Sequence, residues 1–194
     1  MKFKSLHEKA RLLDNLIDEY ERSKGTGFVP MRSLQELTSK TFPEATRVNV
    51  GLHKLVFHLT HKSHELALKI GKKEAIELDH KSYKLLPPRL RHVYFARIFW
   101  HTKYCLLQEY GVEAEATHDQ LIKLRSIGYT YGLLDITCEN IRNVNGYLKI
   151  VDAGIAPYGL HRIWRIADII QRKLPFPVRM LIRKSRMLAT VRET

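Results

Sequence analysis

The chain has 194 residues, 44% apolar and 27% charged, which suffices for one full core or two small lobes sharing a cleft. No run of about 18 apolar residues occurs, so no membrane-spanning helix is expected. The formal net charge is +13, and its excess is concentrated in residues 81–104 (six basic, no acidic) and 161–194 (nine basic, two acidic), while residues 105–160 are mildly acidic (four basic, seven acidic).

The start, MKFKSLHEKARLL, mixes charged with apolar residues and does not read as a secretory leader. Leu6, Leu12, Leu13, Leu16 and Ile17 recur at helical spacing within residues 5–23, and Ser5 with Glu8 predicts a capping box. Gly25-Thr26-Gly27 ends that helix, and a shorter one is expected near residues 33–40, after Pro30. Residues 1–45 thus read as an N-terminal helical extension. From residue 47 to residue 70 the segments RVNV, KLVFHLT and ELALKIG predict three strands. A helix follows over residues 73–86, stopped by Pro87-Pro88, and residues 92–100 and 103–109 return to apolar, aromatic strands. Five strands with one helix after the third predict a small antiparallel lobe spanning residues 46–112.

Residues 113–194 are expected to form a smaller, helical lobe. A helix is predicted at about residues 118–127, then a loop from Asp135 to Asn140. A hairpin turns at Asn145-Gly146, and its second strand, YLKIVD, delivers Asp152. Two helices are predicted in the tail. The first carries Leu160, Ile163, Trp164, Ala167 and Ile170 at helical spacing; the second carries Arg179, Arg183, Lys184 and Arg186.

The chemistry concentrates in Asp135-Ile-Thr-Cys-Glu-Asn140 and in the Asp152-Ala-Gly154 that follows an apolar strand. One aspartate to orient a nucleophile, and an Asn–Asp pair of hard oxygen donors for Mg²⁺, form a set suited to phosphoryl transfer. Lys69, in Leu-Ala-Leu-Lys, adds a cation on a strand, and Leu106-Leu107-Gln108-Glu109-Tyr110-Gly111 leads out of the last strand. In this order the elements resemble the protein-kinase-like superfamily over roughly residues 46–170. The resemblance implies an α+β, two-lobed fold with a small antiparallel sheet lobe and a reduced helical lobe, with ATP and Mg²⁺ in the cleft. It implies that Lys69 clamps the phosphates and that Glu77 (or Glu74) holds Lys69. It further implies that Gly51 lies over the nucleotide, that Glu109 and Gly111 belong to the hinge beside adenine, that Asp135 is the catalytic aspartate, and that Asn140 and Asp152 bind metal.

The departures from the family pattern are specific. Only Gly51 stands where a glycine-rich loop would cradle phosphate, Leu133 stands where the family has a histidine, and Ala153 replaces a phenylalanine. Only 40 residues follow Gly154, too few for an activation segment and a peptide-docking half. The chain is most similar to minimal, atypical kinases: the RIO type and the small kinase subunit of the complex that makes threonylcarbamoyl-adenosine in tRNA. Thr137, two residues after Asp135, matches the Ser or Thr of those families. The expected activity is an ATP·Mg²⁺-dependent phosphotransferase acting on a protein or small-molecule hydroxyl, or an ATPase, in the cytoplasm, with RNA or a ribonucleoprotein as a partner for the basic tail. The alternatives are a pseudokinase kept as an interaction module and a basic RNA-binding protein.

The remaining features read as structural. His58, His61 and His64 straddle a strand end and its turn, where side chains diverge, so they are expected to be solvated rather than metal-bound. Cys105 and Cys138 form no CxxC pair and read as reduced, with Cys138 a small loop residue. Tyr94, Phe95, Phe99 and Trp100 are expected to fill the core of the sheet lobe.

Overall fold

A computed structural model describes residues 2–50 and 53–155. Gly51 and both basic tail helices expected beyond residue 160 lie outside the described residues. The fold is α+β, and its centre is a five-stranded antiparallel sheet of order β1-β2-β3-β5-β4. Here β1 is Thr46–Val50, β2 is Lys54–His61, β3 is His64–Gly71, β4 is Ile98–His101 and β5 is Cys105–Glu109. Lys62 and Ser63 join β2 to β3 with φ of 48° and 64°, the two positive values that suit a tight turn to strand twist.

Strand periodicity gives this sheet two different faces. Leu55, Phe57 and Leu59 pair with Ile70, Leu68 and Leu66, and with Cys105 and Leu107 they form one apolar face. Helices α1 (Lys4–Lys24) and α2 (Met31–Thr41) cover it with Leu6, Ala10, Leu13, Ile17 and Leu34. Asp14 anchors α1 by accepting hydrogen bonds from Thr102 Oγ1 (3.1 Å) and from the N–H groups of Lys103 (3.0 Å) and Tyr104 (3.1 Å) in the β4–β5 turn. The N-terminal extension is therefore the second layer of the sheet.

The expected Ser5–Glu8 capping box does not form. The α1 helix starts at Lys4, with Phe3 as a left-handed cap and no side-chain capping bond, so Ser5 lies inside the helix. Packing of the Phe3 ring edge-on to His61, His64 and Phe99 sets that start instead. A complete capping box does form further on, where Thr117 and Gln120 begin α5 (His118–Thr130).

A second correction falls between β3 and β4. Two helices stand there, α3 (Lys73–Leu85) and α4 (Pro88–Tyr94), and β4 begins only at Ile98. Pro87-Pro88 ends one helix and also starts the next, because a proline in the first turn lacks only an N–H that would have no helical partner. Residues 92–94, expected as strand, close that second helix.

The rest of the described chain builds a second apolar cluster. It is made from α5, from β6 (Leu133–Leu134) paired with β9 (Gly154–Ile155), and from the hairpin of β7 (Ile141–Val144) and β8 (Tyr147–Ile150). Asn145 and Gly146 turn that hairpin with φ of 53° and 86°. Tyr83, Leu86, Phe95, Leu121, Leu124, Leu133, Ile136, Ile141 and Ile150 are buried in the cluster, with Tyr94 packed against it. Phe95 and Tyr94 thus serve this second core, while Trp100 is buried in the first and Phe99 packs against it. The two parts are joined by Ala96 N–H donating to the Ile150 carbonyl (2.9 Å) and by reciprocal backbone bonds between Val112 and Asn143 (3.0 and 2.9 Å).

Candidate active site

On the sheet face opposite α1 and α2, β3 presents Lys69 between its cross-strand neighbours Val56 and Leu106. The Lys69 side chain is 4% exposed, and its Nζ donates to Asp79 Oδ2 (2.7 Å) and to the Val151 carbonyl (2.8 Å). Asp79, also buried, takes Lys54 Nζ on its other oxygen at 2.7 Å. Lys54 then reaches Asp152 Oδ2, again at 2.7 Å. Two lysines from neighbouring strands, one helical aspartate and the Asp152 of the DxG sequence therefore form one charge-balanced cluster.

Two members of the cluster, Lys69 and Asp152, are held toward their charged forms. Burial by itself would lower the Lys69 pKa, but Asp79 and Asp152 more than offset it and the value is raised. Burial alone would raise Asp152, but Lys69 and Lys54 outweigh it and hold the carboxyl below the ordinary carboxylate range.

The carboxylate that holds Lys69 is Asp79, not Glu77 or Glu74. Helix α3 turns Ile76, Asp79 and Tyr83 inward at i, i+3 and i+7, whereas Glu77 is rotated about 100° from Ile76 and meets Lys81 at 3.5 Å on the outer side. Glu74 is exposed in the first turn of the helix. The inward stripe in the sequence was the available clue to Asp79. Lys54 escapes a sequence reading for a different reason, since a lysine beside a loop looks like any solvated residue.

Asp135 and Asn140 come together in the loop after β6. The Asn140 side-chain amide donates to the Asp135 carbonyl (2.8 Å) and to Asp135 Oδ2 (3.3 Å), around a single 3₁₀ turn, Cys138–Asn140. Asp135 has φ 58°, a left-handed backbone that aspartate tolerates better than most residues. Two contacts from α5 clamp the loop beside it. Arg125 Nε donates to the Ile136 carbonyl at 2.7 Å, and Gly128 is so close to Ile136 that a Cβ there would lie 2.0 Å from Ile136 Cδ1. The Asn140 carbonyl accepts the Val151 N–H at 2.9 Å, which ties this loop to the segment carrying Asp152.

The hinge-like segment leads from β5 to the β7–β8 hairpin. Glu109 Oε2 accepts from Lys149 Nζ and from the Arg97 N–H, both at 3.0 Å, so its side chain joins the sheet to the hairpin. Gly111 is pressed against β7, where a Cβ would lie 2.5 Å from Arg142 Cβ. The N–H groups of Glu109, Tyr110 and Val112 donate to Arg97, Glu65 and Asn143 carbonyls, while that of Gly111 has no such bond among the described residues. Gln108 is buried and donates to the Val151 carbonyl at 3.3 Å, but its Oε1 has no partner. Gln108 thus leaves one buried acceptor unsatisfied between the hinge-like segment and the residues leading to Asp152.

Asp152 and Asn140 supply a carboxylate and an amide oxygen, hard donors of the kind Mg²⁺ takes together with water and phosphate oxygens. Among the described residues no three His, Cys, Asp or Glu side chains group as a metal cage, so a metal here would depend on phosphate for further ligands. The sequence matches no protein-family model and no curated protein sequence. His61 and His64 contact Phe3, while His58 pairs with Glu65 and packs against Tyr110. Cys105 is buried and Cys138 exposed, both as free thiols.

Proposed function

We propose that the chain is an ATP·Mg²⁺-dependent phosphotransferase or ATPase with a two-lobed, protein-kinase-like fold. The observation that carries this reading is the convergence of Lys69, Asp79 and Asp152 on one buried cluster, with the Asp135–Asn140 loop hydrogen-bonded to the same segment. Lys69 uses two of its three N–H donors within the protein and keeps the third for a phosphate oxygen. Asp135 orients the acceptor hydroxyl, or a water, and takes its proton. Arg125 and Gly128 hold the loop that presents it. Asn140 and Asp152 would hold Mg²⁺, which when bound neutralises phosphate charge. The Gly111 N–H and the orphan oxygen of Gln108 face the nucleotide as unsatisfied groups. A cytoplasmic setting, with RNA or a ribonucleoprotein docked through the basic tail, belongs to the same proposal by family analogy.

The second reading is a pseudokinase, which binds nucleotide without turnover. The observation favouring it is that Asp152 already has a cation, Lys54, on its Oδ2. The test measures thermal stabilisation by ATP with and without Mg²⁺, beside γ-phosphate release, for the wild type, Asp152→Ala and Asp152→Asn. The phosphotransferase reading expects a Mg²⁺-dependent shift, and turnover reduced at least about a hundredfold in both variants. A shift without turnover in the wild type establishes the pseudokinase. No nucleotide effect, with salt-sensitive RNA binding, overturns both and leaves a basic RNA-binding protein.

A further inference from the structure

Lys54 stands where the chain most departs from a nucleotide-binding pattern. It is the first residue of β2, directly after the glycine-poor β1–β2 loop, and it pairs across the sheet with Gly71. Gly71 makes that approach possible, because a Cβ there would lie 2.3 Å from the His53 carbonyl oxygen and 2.7 Å from Lys54 Cβ. The His53 carbonyl also accepts the Lys72 N–H at 3.1 Å, so the backbone that carries Lys54 is fixed on both sides. Its side chain is not fixed in the same way. It is 16% exposed against 4% for Lys69, and one of its two partners, Asp152, is 27% exposed.

Two cations could serve a phosphate here, but only one blocks a metal ligand. Lys69 acts on Asp152 only through its charge and gives its hydrogen bonds to Asp79 and a carbonyl, whereas Lys54 sits directly on Asp152 Oδ2. A metal ion using that oxygen must displace Lys54. The displaced ammonium keeps Asp79 as an anchor and has a flexible stem with donors to spare. A triphosphate beside Asp152 offers it the nearest new anion.

Resting on the nucleotide-site reading above, we propose that Lys54 is an exchangeable cation. It neutralises Asp152 in the nucleotide-free protein and transfers its ammonium to a phosphate oxygen when Mg²⁺·ATP enters. The transfer supplies, from a side chain on β2, the phosphate contact that backbone N–H groups of a glycine-rich loop would otherwise make. Lys69 and Asp79 remain the fixed pair of the site.

The test is direct binding, independent of turnover. Mg²⁺·ATP and ATP alone are titrated by calorimetry, and Mn²⁺ alone by its paramagnetic signal, on the wild type, Lys54→Met and Lys54→Gln, with folding checked by thermal melting. Both variants are expected to bind Mg²⁺·ATP about tenfold more weakly, one charge-assisted hydrogen bond's worth. They are expected to bind Mn²⁺ alone about tenfold more tightly, because Asp152 is released. Opposite signs in the two titrations are the signature of exchange. A wild type that binds Mg²⁺·ATP, with variants weakened toward both Mn²⁺ and nucleotide or unchanged toward both, overturns the exchange and leaves the nucleotide site standing. A wild type that binds neither ATP nor Mg²⁺·ATP overturns the site itself, and the exchange with it.

Discussion

The two faces of the five-stranded sheet come from the same strands and do opposite things. Along β3, Leu66, Leu68 and Ile70 face α1 and α2, while Ala67 and Lys69 lie on the opposite face. The first face is apolar and fully covered, and each buried Leu or Phe there contributes about 1.5–3 kcal/mol. The second holds Lys54, Lys69 and Gln108 against Asp79, Asp152 and the Val151 carbonyl. A buried ion cluster of that kind roughly cancels in stability, since desolvation offsets the attraction. Apolar burial therefore dominates the face under α1 and α2 and paired charge the other, with only the two-residue period of a strand between them.

Breaking the apolar face should show the largest effect. Leu68→Ala is expected to remove about 3 kcal/mol of stability, read as a lower denaturant midpoint at constant slope. If the proposed function holds, ATP affinity of the folded variant should stay within about twofold of the wild type, because Leu68 lies on the sheet face opposite Lys69. A large loss of ATP affinity with unchanged stability would dissolve the division between the faces.

Gly128→Ala probes the division where apolar packing supports the candidate loop. Alanine gains about 1 kcal/mol of helix propensity over glycine, but its Cβ drives into Ile136, and overpacking costs about 1–3 kcal/mol. The net expectation is a loss of about 1 kcal/mol in stability. Because Ile136 adjoins Asp135, the proposed function predicts that turnover falls about tenfold, mostly in kcat with ATP affinity kept. Equal turnover in variant and wild type would show that the Asp135 loop does not depend on α5.

The sequence made parts of this arrangement legible for reasons that differ residue by residue. Lys69 and Asp152 were readable because each interrupts or ends an otherwise apolar strand. Asp135 and Asn140 were readable as a spaced pair before an Asn-Gly hairpin. Asp79 was not singled out, because α3 carries three carboxylates and only the packing of Ile76 and Tyr83 decides which one turns inward. Lys54 gains its meaning from Gly71 opposite, a cross-strand contact that no local pattern encodes. The same holds for α4, whose short turn follows from Pro88 at its start and was masked by the aromatic run after it.

The smallest expected effect separates the cleft side into two pH windows. His80 on α3 stacks on His101 of β4 with ring centroids 3.7 Å apart. Burial, the adjacent His101 and the cations Lys84 and Arg91 push the His80 pKa down to about 4. An unfolded histidine titrates near 6.5, so between about pH 4 and 6.5 the unfolded chain binds more protons at this position. Stability should therefore be full above that range and decline as pH falls through it. Asp152 is depressed in the same sense but in a lower window: its contribution is present above the ordinary carboxylate pKa and is lost only as pH drops below it. His80→Phe keeps a ring in the stack and removes the proton, so melting curves across the histidine window should flatten while the loss below pH 4 persists. The effect is modest because the pair is partly solvated and screened, and a residual slope belongs to His101 and His7, both also lowered. Unaltered steepness between pH 4 and 6.5 in His80→Phe would move the acid sensitivity away from the α3–β4 contact and onto the carboxylates of the cleft.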